Sequence, residues 1–328
     1  MNKLVTVNTM TSMATVNHLK NRKSLTMTLK KAFLLCVTAC LPAFAAMAQK
    51  IAVVNPAGAS TLYQDLNIAI AEAPANSAIY LSAGGFQISD TTRIRKKLTI
   101  NGIGHRADIN PDGNTTVGGN FYFEQGADGS ALMGVYLTGN VNIGTSFANG
   151  TFINGFLLRF CNVNSVQVQH QLCTEIVINQ NYVRSSSGGG NSNIQFTNNI
   201  LHSISNVNSG KIEYNTIIGN ASGDAATWIV SHSSIVNNVT FWAVPSGSGN
   251  QISNNLRISD ADIVGPNNGV DVTSNFRLAS GNNAIGIYGG TGFSDSQLPP
   301  GPRIINRNIP SQTDANGVLR VQIEVSVE

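Results

Sequence analysis

Charge is scarce in this chain: Asp, Glu, Lys and Arg make up only 11% of its 328 residues. It has four Cys and two Trp. The low charge argues against a polyelectrolyte or a disordered acidic tail. The formal charge of +3 is also misleading. All 17 acidic residues follow residue 48, whereas six of the 20 Lys and Arg precede it, so the remainder carries a charge of −3. The basic balance therefore belongs to the first 48 residues and gives no support to a nucleic-acid partner. Two Cys remain after residue 48, Cys161 and Cys173, too few for a disulfide scaffold or a structural zinc site. They are twelve positions apart; a disulfide between them and two buried apolar thiols are both open readings.

No apolar run is long enough to span a bilayer. The stretch from Ala32 follows Lys30 and Lys31 and ends at Ala46-Met47-Ala48 before Gln49, the pattern of a cleaved signal peptide over 27–48. Residues 1–48 read as leader, with Met27 as the expected true start, and the protein is expected to be exported to the periplasm, the outer surface or the medium. Val37-Thr38-Ala39-Cys40 offers an alternative, a lipid anchor at Cys40. No transmembrane segment is expected in the mature chain.

What the chain has in quantity is a repeated phrase: an apolar alternation, an Asn, any residue, an apolar residue. Its leading Asn residues are Asn181, Asn198, Asn215, Asn237 and Asn254, in steps of 17, 17, 22 and 17. Short alternating runs read as strands. The step is too short for a helical pair or a propeller blade. It suits one turn of a right-handed parallel β-helix, a single-stranded solenoid in which each turn stacks its strands on the last. Asn at the corners tolerates the left-handed region and can bond up and down the stack. Ser60 to Ala73 is expected to be one helix, capped by Thr61 and Gln64, covering the open end. Ser185 to Asn191 reads as a Ser/Gly loop. The expected organisation is cap and first rungs over 49–97, solenoid over 98–290, and a closing strand segment over 291–328.

Three phrases carry a resemblance: Asp65-Leu66-Asn67-Ile68-Ala69-Ile70, Ala78-Ile79-Tyr80-Leu81-Ser82-Ala83-Gly84-Gly85-Phe86, and Lys97-Leu98-Thr99-Ile100-Asn101-Gly102-Ile103-Gly104. Together with the Asn rungs they resemble the right-handed parallel β-helix proteins of the pectin lyase-like superfamily. The leader and tail resemble those of secreted Bacteroidetes-type proteins. The superfamily includes lyases, hydrolases, esterases, adhesins and tailspikes, so the resemblance implies a fold and leaves activity open. Its lyases use a Lys or Arg base and Ca²⁺ held by acidic side chains. Its polygalacturonases carry paired Asp residues and Gly-His-Gly, and pectate lyases an Arg-x-Pro-x-x-Arg; none of these occurs here.

Residues suited to catalysis are correspondingly few. Gly129 to Gly223 holds five charged residues, Arg159, Glu175, Arg184, Lys211 and Glu213, the last two on one strand face as a surface ion pair. Asp260, Asp262 and Asp271 are the candidate Ca²⁺ ligands; no other cofactor is implied. The His residues show no metal spacing and read as surface or corner residues. The long step of 22 brings Asp224, Trp228 and His232, with Trp242 following, as ligand-binding candidates, because insertions in solenoids mark binding faces and Trp stacks on sugars. The expected function is a non-catalytic exported protein that binds a polysaccharide or cell-surface glycan, or serves adhesion or surface structure. The alternative is a polysaccharide lyase or hydrolase with a divergent site. The oligomeric state is open.

Overall fold

The structure, a computed structural model, describes residues 51–106, 113–145, 150–191, 193–219, 230–241, 247–263 and 276–293, together with the backbone of three outlying strands. Two compact units are present, residues 49–299 and a smaller one combining 1–48 with 300–328. The smaller unit is an antiparallel sheet of Val5–Thr6, Gln322–Val327 and Pro302–Asn308. Of the closing segment expected over 291–328, Pro302–Asn308 and Gln322–Val327 are strands; Cys40 lies outside the described residues. Among the described residues no helix is long and apolar enough to cross a membrane.

The larger unit is mostly β, with long parallel sheets compatible with an all-β, solenoid-like fold. One row runs from Ser77–Leu81 through Leu98–Asn101, Ser130–Met133, Asn154–Arg159, Thr174–Asn179, Ile194–Thr197, Lys211–Glu213 and Ser234–Val236 to Gln251–Ser253, each parallel to the next. A second row runs from Gly84–Gln87 to Leu256–Arg257. The long strands Tyr136–Ile143, Asn162–Val168 and Tyr182–Asn191 give their first residues to this row. Their later residues belong to a third row, which begins at Thr92–Ile94 and Phe121–Phe123. The chain thus visits each row once per tier and returns one place further along.

Register puts like on like. Ile79, Ile100, Leu132, Leu158, Ile178, Phe196, Ile212 and Ile235 stack as one inward column of the first row, and all are fully buried. Burying each such side chain stabilises by about 1.5–3 kcal/mol. The period-2 pleat turns their sequence neighbours outward, which is why the alternation was readable.

Two local expectations are corrected. Ser60–Tyr63 is a strand, antiparallel to Ile51–Val54, and the helix is only Leu66–Glu72. Asp65 is its N-cap, its Oδ1 accepting from the Asn67 and Ile68 amides. Leu62, read as part of the helix face, is 69% exposed. The pattern was ambiguous because Leu66, Ala69, Ile70 and Ala73 alone satisfy the helical period, and those four do enter the core at the first tier. The Ser/Gly stretch is likewise ordered. Ser185, Ser186 and Ser187 pair with Ser165, Val166 and Gln167 within strand Tyr182–Asn191. Its low strand propensity is overridden by preformed strands on both sides. Gly188 is needed there, since a Cβ would lie 2.9 Å from both the Asn206 carbonyl and a Val207 methyl.

The recurring Asn residues resolve into two columns. Asn181, Asn199, Asn215 and Asn238, all fully buried, and half-buried Asn255 form a ladder between the first and second rows. Each Oδ1 after the first accepts the backbone N–H and the Nδ2 of the Asn one tier before, at 2.8–3.1 Å. Each Nδ2 also donates to a main-chain carbonyl of the tier before it. Cys161 heads the column by donating its N–H to Asn181 Oδ1. Asn198, Asn237 and Asn254 stand one residue earlier, in a corner column at φ of 55, 57 and 52° that also contains Phe160, Gln180 and Tyr214.

That corner is where residues 276–293 return across the second row. Asn198 Nδ2 donates to the carbonyls of Ile287 and Gly289, and its Oδ1 accepts from Thr291. Gly286 donates to the Asn237 carbonyl, and Gln180 Nε2 donates to Gly292 O. From Gly286 to Gly292 the chain therefore runs back from the tier of Asn237 to that of Gln180. Phe276, Ile287 and Phe293 cover Tyr182 and Ile200 in a second apolar cluster outside the main core. Up to residue 293 the tail thus lies on the flank of the tiers. Gly289 allows this approach: a Cβ there would lie 2.5 Å from the Tyr214 ring.

Asn199→Ala should cost about 3–5 kcal/mol in urea unfolding, because it orphans the Asn181 amide and several buried groups at about 1–3 kcal/mol each. Asn254→Gly, which keeps the left-handed corner and loses one exposed contact, should cost less than about 1 kcal/mol. Equal losses from the two variants would contradict the separation of ladder from corner.

Candidate functional site

The most developed polar surface among the described residues is the outer side of the third row. Arg93, Tyr122, Asn142, Gln167, Ser187 and Ser205 are cross-strand neighbours on successive tiers. Phe121, Phe123, Val141, Ile143, Val166 and Val168, their sequence neighbours, are buried; Arg93 is exposed and Tyr122, Gln167, Ser187 and Ser205 are half-buried, whereas Asn142, in register with them, is only 4% exposed. Gln169 Nε2 donates to Asn142 Oδ1 at 2.9 Å and leans on Gln167 Oε1 at 3.4 Å. At the adjoining corner Asn164 donates to Asn140 Oδ1 at 3.1 Å, and the Asn140 amide donates to Asn120 Oδ1 at 2.8 Å. The result is a strip of amides and hydroxyls repeating at the strand spacing of about 4.8 Å.

Its N-terminal end is charged. Glu124, with only 4% of its side chain exposed, accepts from Arg93 and, at 2.8 Å, from Arg95 Nε. The Arg93 guanidinium lies 5.3 Å from the centre of the Tyr122 ring. Next to this cluster an open groove of about 440 Å³ runs between the helix Leu66–Glu72 and residues 89–96, with Asn67, Ser89, Thr92, Arg93, Arg95 and Lys96 in its wall. Lys96 Nζ donates to the Ala71 carbonyl at 2.7 Å, at the helix's C-terminal end, where a cation is favoured; partial burial lowers its pKa. A buried carboxylate engaged by two guanidiniums is suited to holding those cations in place. Amides, hydroxyls and one ring edge can meet hydroxyl-rich ligands, since an amide presents both donors and acceptors.

The residues singled out from sequence fall differently. Asp224, Trp228, Trp242 and Asp271 lie outside the described residues. His232 is an exposed corner residue at φ 48°, its Nδ1 3.3 Å from Asn208 Oδ1. Asp262 caps a single 3-10 turn, Asp260–Asp262: its Oδ2 accepts from the Ser259 amide and hydroxyl, both at 2.8 Å, which holds its carboxyl below the usual range. Asp260's side chain lies outside the described set. Among the described residues no group of three or more His, Cys, Asp or Glu stands together as a metal site. Lys211 and Glu213 form the ion pair read from their spacing, at 2.9 Å. Glu175 lies in a first-row strand and Arg184 in a second-row strand. His202 is half-buried rather than a surface residue. Its Nε2 is 2.5 Å from Tyr182 Oη, and burial together with Arg184 lowers its pKa.

Arg93, Tyr122 and Glu124 were not among the candidates named from sequence, which lie between Asp224 and Asp271. The signals were present: Arg-Ile-Arg-Lys-Lys over 93–97 and the alternation Phe121-Tyr122-Phe123-Glu124. Comparison of the chain with protein-family models, with curated proteins and with solved structures gives no match.

Cys161 and Cys173 are free thiols, both buried. The disulfide reading gives way to the apolar one: Cys161 heads the Asn ladder after the first-row strand, and Cys173 precedes the next first-row strand at its opposite end. Burial pushes the Cys161 thiol up to about 12. The fold thus favours the neutral thiol. This contribution is complete below the unfolded value of about 8.5 and is lost as pH rises from there towards the folded one. Urea unfolding across pH 8 to 11 should show the wild type losing stability relative to Cys161→Ala; parallel profiles would refute the assignment. Neither thiol should react with an aromatic disulfide reagent before unfolding.

Proposed function

We propose that this chain is an exported right-handed parallel β-helix protein, similar to the pectin lyase-like superfamily, that binds a polysaccharide or cell-surface glycan without chemically altering it. The observation that carries this reading is the in-register strip of half-buried Tyr122, Gln167, Ser187 and Ser205, which offers uncharged hydrogen-bonding groups on four tiers, with buried Asn142 tying Gln169 to the tier between Tyr122 and Gln167. A linear glycan offers hydroxyls at a comparable spacing, and Tyr122 offers a ring for stacking. Glu124, at the end of the strip, is engaged by two arginines, and Asp128 Oδ1 accepts from the Asn154 amide at 2.7 Å. The arrangement supports retention of a ligand more directly than proton transfer. The parallel rows support the β-helix, and the leader pattern supports export.

Affinity electrophoresis through gels containing neutral or acidic polysaccharides tests the reading. At least one polysaccharide should retard the full chain, and Tyr122→Ala and Gln167→Ala should each weaken that binding about tenfold, equivalent to about 1.4 kcal/mol. Absorbance of unsaturated product and reducing-end release should stay at background with and without Ca²⁺. Turnover of any retained polysaccharide would replace this proposal with the lyase or hydrolase reading.

A further inference from the structure

The groove at the end of the strip differs from the rest of the surface in charge. Four of the fourteen Lys and Arg that follow residue 48 fall within residues 93–97. Three of them, Arg93, Arg95 and Lys96, line the groove, and Glu124 is paired with two of these. The wall itself carries three cations; the acidic groups nearest in the chain are Glu124, which pairs with the arginines, Asp90, exposed between Ser89 and Thr91, and Glu72 at the helix end. Glu124 holds the two guanidiniums from behind, while their side chains stay 44% and 65% exposed. Arg95 uses Nε for that contact, so its terminal nitrogens do not engage Glu124. Guanidiniums fixed in this way lose little freedom when they bind an anion.

The rest of the wall is set up for hydroxyls. Asn67 Oδ1 accepts from the Ser89 amide at 3.0 Å and from Thr92 Oγ1 at 3.3 Å, and the Ser89 and Thr92 hydroxyls are 2.8 Å apart. Ser89 and Thr91 are exposed. Ile70 and Ile94 form an apolar floor. A volume of about 440 Å³ is that of a small-ligand site.

We propose that this groove binds a sugar bearing a phosphate monoester, with the phosphate at Arg93, Arg95 and Lys96 and the sugar hydroxyls at Ser89 and Thr91. Charge decides between anions. A phosphate monoester carries about −1.5 to −2 at neutral pH and so gains more from a wall with three cations than the single charge of a uronate carboxylate does. Arg forks also meet phosphate oxygens in pairs. The inference rests on the glycan-binding reading and adds the chemical group that the end of the strip selects.

Isothermal titration of the full chain with glucose 6-phosphate, glucose, glucuronate and inorganic phosphate tests it. Glucose 6-phosphate should bind at least tenfold tighter than each of the other three. That binding should fall about tenfold in Arg95→Gln and in Lys96→Gln, with circular dichroism unchanged, and weaken steeply between 50 and 500 mM salt, as counterion screening requires. Equal affinity for glucuronate, equal affinity for inorganic phosphate, or wild-type affinity in Arg95→Gln would each overturn the proposal. Tyr122→Ala on the same preparations separates the two readings. If polysaccharide binding is retained but glucose 6-phosphate does not bind, this inference alone fails. If glucose 6-phosphate binds but no polysaccharide does, the groove stands and the glycan strip falls.

Discussion

The Asn ladder is the constraint that orders the tiers from Cys161 to Asn255. Stacking tiers leaves main-chain amides and carbonyls at the turn between the first and second rows facing an apolar interior, where an unpaired group costs about 1–3 kcal/mol. An Asn at that turn satisfies the amide above, its own carbonyl two residues back, and a carbonyl of the neighbouring tier. The solution works only when the next tier supplies another Asn in the same place. From Cys161 to Asn255 the ladder therefore ties the register of each tier to its neighbours, and with it the core columns and outer strips of those tiers.

This explains which features were readable from sequence. The Asn repeat and the apolar alternation are products of the stacking itself, so they appear in the sequence with its period. The assignment was nevertheless blurred by one residue in places, because Asn occupies both the ladder and the preceding left-handed corner: Asn198-Asn199, Asn237-Asn238 and Asn254-Asn255 are adjacent pairs. Chain distance alone could not tell which member was buried. Ladder steps of 18, 16, 23 and 17 are also less regular than the corner spacing suggested. The strand at Ser60–Tyr63 was hidden for another reason. It is stabilised by pairing with Ile51–Val54, a contact that its own sequence does not announce.

The flank illustrates the same limit. In the second row the outward column changes from Thr116, Tyr136 and Asn162 to Tyr182, Ile200, Thr216 and Val239. An outward apolar stretch requires a cover, and residues 276–293 supply it through Phe276, Ile285, Ile287 and Phe293. In sequence these residues read as a tail changing character. Their role depends on the glycines that let the chain lie against Tyr214, and on carbonyls that only Asn198, in its corner, is placed to meet.

The scarcity of charge also follows from stacking. A residue on an outer column has neighbours about 4.8 Å above and below it. Repeating one charge along such a column would cost about 1 kcal/mol per contact in water, and about fourfold more near a low-dielectric surface. Neutral amides and hydroxyls escape that penalty and bond along the column instead, as Gln169 does with Asn142 and Asn164 with Asn140. Charge can gather only where opposite signs meet across tiers, and Arg93 and Glu124 do this. The excess of cations there is then an exception to the rule that governs the surrounding surface. A groove wall that gathers three cations in an otherwise neutral coat is the place where an external anion contributes most.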